Sequence, residues 1–393
     1  MRLFRQIGAV TSMNLASVPQ RLGTSSVVVI GIAGVVAVML SMLAMAVGLM
    51  DTVSGTGKPD RAIVVRTGAT AEISSGMGRD QALTIIDAPH IKRGADGKPL
   101  ASAETLNLVD MTMRATGTPA NVTLRGVSPE GLAMRPEIRI VEGRMMQPAV
   151  HEVIVGRRAR MEFEGLNIGD EVPIRNSLWK VVGVFESGDQ HESEILTDSE
   201  TMMSAYQRNW FNAVTVQLES PDAFAKFKEA ITTNPTLTVD VKRESEFFAE
   251  QSKPLGNVLR LVAYFIGGIM AVGALFGALN TMYTAVSART IEIATLRALG
   301  FGPVPVVISV FVEALLLALM GGAIGCVLAW LFFDGNVVST SAGGINQIVF
   351  ALSVTPAMVA VGLTWACVIG LFGGLFPAIR VARLPVATAL RAT

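Results

Sequence analysis

The sequence predicts a membrane protein: four transmembrane α-helices in a 1+3 arrangement, with an extracytoplasmic α+β domain inserted between helices 1 and 2. Three observations predict it. Four runs, Leu22–Met50, Leu261–Ala288, Ala314–Phe333 and Gly335–Ile379, contain no Asp, Glu, Lys or Arg, and a helix crosses hydrocarbon with about 20 apolar residues. Between the first two runs, residues 51–253 hold 23 of the 32 basic and 29 of the 32 acidic side chains. Eight of the remaining basic residues, Arg2, Arg5, Arg21, Arg289, Arg297, Arg380, Arg383 and Arg391, lie before span one, between spans two and three, or after span four. Short Lys/Arg-rich loops stay in the cytoplasm, whereas long domains translocate regardless of charge. A multi-pass protein of the inner membrane is therefore expected, with both termini cytoplasmic and residues 51–253 periplasmic.

Each element has its own warrant. Residues 1–20 read as a cytoplasmic interfacial helix, with Leu3, Phe4, Ile7, Val10 and Leu15 near one face, Arg2 and Arg5 available to headgroups, and Pro19 ending it. Residues 22–50 form helix 1, too long for a signal-peptide core and so read as an uncleaved anchor. The two cysteines, Cys326 and Cys367, fall in spans three and four and read as packing residues. The inserted domain thus has no disulfide and relies on its own core.

Within 51–253, short β-branched segments at 62–66, 122–127, 137–141, 179–185, 213–218 and 237–241 read as strands. Ser220-Pro221-Asp222 opens a helix over 221–233 with the stripe Phe224, Phe227 and Ile231, giving a βαβ-like unit. A short helix is expected near 157–163, and residues 88–100 and 186–198 read as polar loops. In residues 254–393 the spans are placed at about 257–286, 304–333 and 354–377, with the second continuing outward as a stalk. Gly273/Gly277, Gly321/Gly325 and Gly370/Gly374 are small-residue pairs at four-residue spacing, which let membrane helices approach closely. Glu313 is the one ionisable residue well inside a span, read as structurally paired.

No catalytic or metal-binding constellation stands out, and an enzyme is not expected. His90, His151 and His191 lack zinc spacing. Glu186, Asp189, Glu192, Glu194, Asp198 and Glu200, with His191, lack the alternation of a calcium loop and read as a solvated loop. Thr56-Gly57-Lys58-Pro59 departs from a phosphate loop, with Thr52 in the place of its first glycine and Pro59 after the lysine. No cofactor is expected on this chain, and no nucleic acid as a partner.

The stretch 288–300 differs from an ordinary connector. It is helix-compatible, closed by Gly300 with Pro303 beyond, and rich in apolar residues: Ile291, Ile293, Ala294, Leu296 and Leu299, with Arg289, Glu292 and Arg297 around them. A solvated loop has no use for so many; a helix seated in a partner's groove does.

With these residues the chain resembles the MacB/FtsX-type (type VII) permeases of ABC transporters. The carrying segments are RTIEIATLRALGF, VEALLLALMGGAIG and GGLFPAIRVARLPVATALR. In the inserted domain, IRIVEGR, EVIVGRRA, GLNIGDEV and WKVVGVFES resemble a MacB-like periplasmic core domain. The resemblance implies a permease subunit whose coupling helix, with Arg289, Ile291, Glu292, Ala294, Leu296, Arg297, Leu299 and Gly300, docks on a cytoplasmic ABC ATPase. Two ATPase copies would bind the ATP and Mg, and a second permease copy or a related permease would complete the complex, with room for a periplasmic adaptor. The implied work is mechanotransmission for export or extraction of a substrate; the alternative is an FtsX-like activator of a cell-envelope hydrolase.

Overall fold

The computed structural model describes residues 2–17, 19, 22–342 and 346–382. Its helices are α1 (Arg2–Ala16), α2 (Leu22–Ser54), α3 (Arg79–Ile86), α4 (Pro129–Ala133), α5 (Arg157–Glu162), α6 (Ser199–Ala205), α7 (Phe224–Thr232), α8 (Glu244–Ala288), α9 (Thr290–Ala298), α10 (Pro303–Phe333) and α11 (Pro356–Ala382). Four are long and apolar enough to cross a membrane, over Ser25–Ser54, Glu244–Ala288, Pro303–Phe333 and Pro356–Arg380. The chain divides into a helical unit (1–47, 258–336 and 352–393) and a sheet domain (48–257 and 337–351). Arg21, Arg383 and Arg391 lie outside the described residues.

In the helical unit, missing side chains set the helix spacing. A Cβ on Gly321 would stand 2.7 Å from the Val29 carbonyl oxygen, and one on Gly325 would stand 2.6 Å from that of Ala33, so this pair seats α10 against α2. Gly370 and Gly374 of α11 meet the methyls of Ala318 and Ala314 of α10. Without a hydrophobic drive between helices in lipid, such close backbone approach supplies the packing. Gly273 and Gly277 differ: among the described residues nothing lies within 4 Å of a Cβ at either, so close backbone approach does not require glycine at this pair. The helix α1 packs on α10 through buried Val10 and Asn14, leaving Phe4 80% exposed.

The strands of the sheet domain are β1 (Arg61–Arg66), β2 (Met77–Gly78), β3 (Ala101–Thr112), β4 (Pro119–Val127), β5 (Arg139–Gly143), β6 (Glu152–Gly156), β7 (Glu171–Ile174), β8 (Ser177–Glu186), β9 (Ile195–Asp198), β10 (Trp210–Phe211), β11 (Ala213–Gln217), β12 (Val239–Arg243), β13 (Val337–Ala342) and β14 (Asn346–Ala351). The main sheet runs β12-β1-β11-β3-β4-β9-β6-β8-β5, with β7 on β8. The expected βαβ-like unit is present but split, because β1 lies antiparallel between β11 and β12. Phe227 and Ile231 of α7 and Ile85 of α3 cover that end, with Val64, Val214 and Val241. A second core gathers Val122, Leu124, Val153, Val155, Phe163, Trp179 and Met202. Ile154, Val182, Phe185 and Leu196 form a further cluster, so neighbouring residues of β6 are buried on both faces of the sheet.

Two segments depart from the sequence reading. Residues 337–342 and 346–351, which read in the sequence as part of a long apolar run with a loop, pair antiparallel as the strands β13 and β14 and belong to the sheet domain. Residues 186–198, read as a solvated loop, contain a buried 3₁₀ turn, Gln190–Ser193, and the central strand β9. Asp189, Gln190, His191, Glu192, Ser193 and Glu194 are all buried. Asp189, Ser193, Glu194 and His191 Nδ1 bond to other protein groups, whereas Gln190 Oε1 and His191 Nε2 have no hydrogen-bond partner among the described residues.

Candidate coupling site

The helix α9 ends as its sequence dictates. Gly300 sits at φ +96°, its N–H donates to the Arg297 carbonyl, and the Phe301 N–H donates to that of Leu296. This paired closure needs a residue that tolerates the left-handed region, and glycine does so without a Cβ penalty. Burial then sorts the coupling residues into two faces. Ile293 and Ala294 turn into the helical unit, where Ile293 joins Met282, Val286, Val306 and Val310. Ile291 is 52% exposed and Leu299 is 72% exposed, and Glu292 and Gly300 are exposed as well; Leu296 and Arg297 are half-buried.

Arg289 is placed inward, contrary to a role at a partner surface. It is buried, its Nη1 lies 3.3 Å from Glu313 Oε2 of α10, and its Nη2 donates to Ser17 Oγ at 2.8 Å. Nearby, Asn14 donates to Ser309 Oγ, and Ser309 donates to the Val10 carbonyl at 3.4 Å. One arginine thus fixes the start of α9 to α10 and to the segment after α1. Glu313, on a helix long and apolar enough to cross a membrane, has a cationic partner, which offsets the cost of an isolated charge in an apolar bundle.

The sheet domain holds a larger ionic cluster. Arg125 of β4 is fully enclosed and binds Glu72 at 2.8 and 2.9 Å, Glu194 at 2.7 and 3.0 Å, and Glu104 at 2.8 Å. Glu104 of β3 also pairs with Arg135 at 2.7 Å, and Arg135 lies 3.7 Å from Glu244. Arg61 pairs with Glu244 and Glu137, each at 2.6 Å. Glu244 opens α8, and its Oε2 also accepts the Lys58 N–H at 3.1 Å. A Cβ on Gly57 would stand 2.2 Å from the Ser245 nitrogen, so the chain leaving α2 crosses directly against the start of α8.

Burial opposes charge at Glu104, Arg125, Arg135, His191 and Glu194, and the oppositely charged neighbours of each outweigh it. Desolvation works against ionised Glu194, but Arg125 and His191 outweigh it and hold its carboxyl well below the usual carboxylate range. Desolvation likewise works against protonated His191, yet Glu194 and Asp189 raise its pKa. His191 Nδ1 lies 3.0 Å from Glu194 Oε2, and its ring meets Phe248 of α8 edge-on at 6.2 Å. Among the described residues no group of His, Cys, Asp and Glu is placed to hold a metal ion.

Comparison with known proteins fits this architecture. The profile of the MacB-like periplasmic core domain matches residues 24–234, and that of the FtsX-like permease C-terminal domain matches residues 264–386. The chain belongs to the MacB/FtsX family of permeases. It is 25% identical over 92% of its length to the macrolide export ATP-binding/permease protein MacB of a Shewanella strain, covering 57% of that protein. It is 24% identical over 56% of its length to an uncharacterized ABC transporter permease of Methanocaldococcus jannaschii, covering 56% of it. With the uncharacterized ABC transporter permease YvrN of Bacillus subtilis it shares 25% identity over 98% of this chain and 97% of that one. The chain therefore spans a little over half the length of the first two relatives.

In this MacB/FtsX-type chain the structure brings Arg289 and Glu313 together and separates Ile291 and Leu299 from Ile293 and Ala294. The ionic cluster on Arg125 was missed by sequence reasoning. Its partners lie 21, 53 and 69 positions away, and no local spacing marks them.

Proposed function

We propose that this chain is the membrane subunit of an ATP-driven transporter in which a cytoplasmic ABC ATPase, holding ATP and Mg, grips the outward face of α9. The observation that carries the reading is the pair of exposed apolar side chains, Ile291 and Leu299, on a short helix whose inner face is fastened by Arg289 to Glu313. A helix held rigidly on one side with apolar residues on the other suits a groove in a partner. Movement imposed on α9 enters α10 through that ion pair and α8 through the turn at Arg289. Because α8 and α2 continue to Glu244 and Ser54, the same helices deliver the displacement to the sheet domain on the far side of the membrane. The work done there is export or extraction of a substrate, by two copies of the permease or two related ones.

The test is retention of the ATPase by the detergent-purified chain. Ile291→Asp with Leu299→Asp places charges where they must be desolvated, and should abolish co-purification while the chain still inserts and folds. Ala294→Asp should instead damage the chain itself, since Ala294 is buried within it. ATPase retained by the double variant would remove the reading.

A further inference from the structure

The chain passes between its two units within the last turns of α2, within α8, and on either side of the β13–β14 segment. Inside the sheet domain, one six-residue segment meets all three of these connections. Near the end of α2, Thr56 Oγ1 accepts the Gln190 N–H at 3.1 Å. In the first turns of α8, Phe248 receives the edge of the His191 ring. At the hairpin, Ser193 Oγ donates to the Val349 carbonyl at 3.2 Å and accepts the Val349 N–H at 3.1 Å. Arg158 adds a second donor to that carbonyl at 3.2 Å and lies 3.8 Å from Glu192. At the far end of the segment, Glu194 is bound by Arg125, whose cluster runs through Glu104 and Arg135 back to Glu244 at the start of α8.

We propose that Asp189–Glu194 is the joint that locks the three connections to one another, with Gln190, His191 and Ser193 as its positioning residues. The source of the motion rests on the coupling role proposed above; the joint itself does not. A joint must be stiff, and this one is. Asp189 caps its own turn by accepting the His191 N–H at 3.0 Å, and the Gly188 N–H binds Glu192 at 2.9 Å. A Cβ on Gly156 would stand 2.0 Å from the Glu192 carbonyl oxygen, so the turn is seated directly on the end of β6. Gln190 Oε1 and His191 Nε2 have no partner among the described residues. The bonded groups of Asp189, Glu192, Ser193 and Glu194, however, have few alternative arrangements in a low-dielectric interior, and packed elements shift between discrete states rather than bending. A displacement of α2, α8 or the hairpin therefore moves the turn, and the turn moves the other two with the sheet. A solvated loop of the same composition would absorb the displacement.

Hydrogen exchange of the full chain in lipid nanodiscs tests this without nucleotide. Ser193→Ala cuts the clasp on Val349, and Thr56→Val removes the acceptor for Gln190 at a different connection. Each should speed exchange by about tenfold, the effect of losing one or two buried hydrogen bonds. The acceleration should appear at residues 56–61, 244–248 and 346–351 in both variants. Acceleration confined to 346–351 for Ser193→Ala, or to 56–61 and Gln190 for Thr56→Val, would overturn the joint. The same measurement with the ATPase bound, with and without ATP, separates the two ideas. If wild type shows no ATP-dependent change in the sheet domain, the coupling role fails while the nucleotide-free result still decides the joint. If wild type responds, Ser193→Ala should keep its ATPase but lose the response at 346–351.

Discussion

The two buried ionic sites answer the same problem differently. In the helical unit, among the described residues, Arg289 faces Glu313, with Ser17 as a neutral partner. In the sheet domain Arg61, Arg125 and Arg135 are enclosed by Glu72, Glu104, Glu137, Glu194 and Glu244, an excess of carboxylates that His191 partly offsets. The small site is a fastener between two helices and the segment after α1. The large one ties β3 and β4 to the start of α8, and its arginines are shared by several acids each. A shared cation is the member whose loss strands the most charge.

The largest expected effect follows from that sharing. Arg125→Met leaves Glu72, Glu104 and Glu194 buried with less compensation, where breaking even one buried pair costs about 3–5 kcal/mol. The sheet domain should fail to fold, seen as loss of the tryptophan-fluorescence melting transition and rapid proteolysis between 51 and 253. A stable Arg125→Met chain would mean that the cluster is not what holds β3, β4 and α8 together.

Glu313→Gln should do less. It strands one cation that keeps its Ser17 contact, at about 3 kcal/mol or below, and Gln can still accept a hydrogen bond. The sheet domain should melt as in wild type while α9 exchanges its amides faster and holds the ATPase more weakly. Equal loss in both units would erase the contrast drawn here.

The smallest expected effect is a pH dependence. His191, faced by Glu194 and Asp189 and, unfavourably, by Arg125, has its folded-state pKa raised above 6.5. Its contribution to stability is thus complete below about pH 6.5 and is lost as pH rises through the raised folded value. One proton limits the slope to about 1.4 kcal/mol per pH unit. Urea melts of the full chain should show a decline above pH 6.5 that His191→Gln flattens. A rise in stability over that window would contradict the pairing of His191 with Glu194.

What the sequence made legible follows the same division. The long helices could be read because lipid forces an apolar run of fixed minimum length, and α9 because Gly300 and Pro303 mark its end. The strands β1, β4, β8 and β11 were readable from β-branched runs. The faces of α9 were not: Ala294 and Leu299 look alike in sequence, and only packing against Val306 and Val310 turns one side inward. The hairpin was hidden because Val337, Val338, Ile348 and Val349 sit inside an uncharged run that reads equally as membrane. The turn at Asp189–Glu194 was misread because its charge density suggests water. Its neutralising partners, Arg125 and Arg158, come from other strands and helices, and no local pattern announces a buried charge whose partner is distant in sequence.

The most direct test of the coupling face is site-specific photocrosslinking in native membranes. A photoreactive residue at position 299 or 291 should capture the ATPase, and the same residue at position 293 should capture only segments of this chain. Capture of the ATPase at 293 with none at 299 or 291 would contradict the account, because the partner would then sit on the face that the structure seals against α8 and α10.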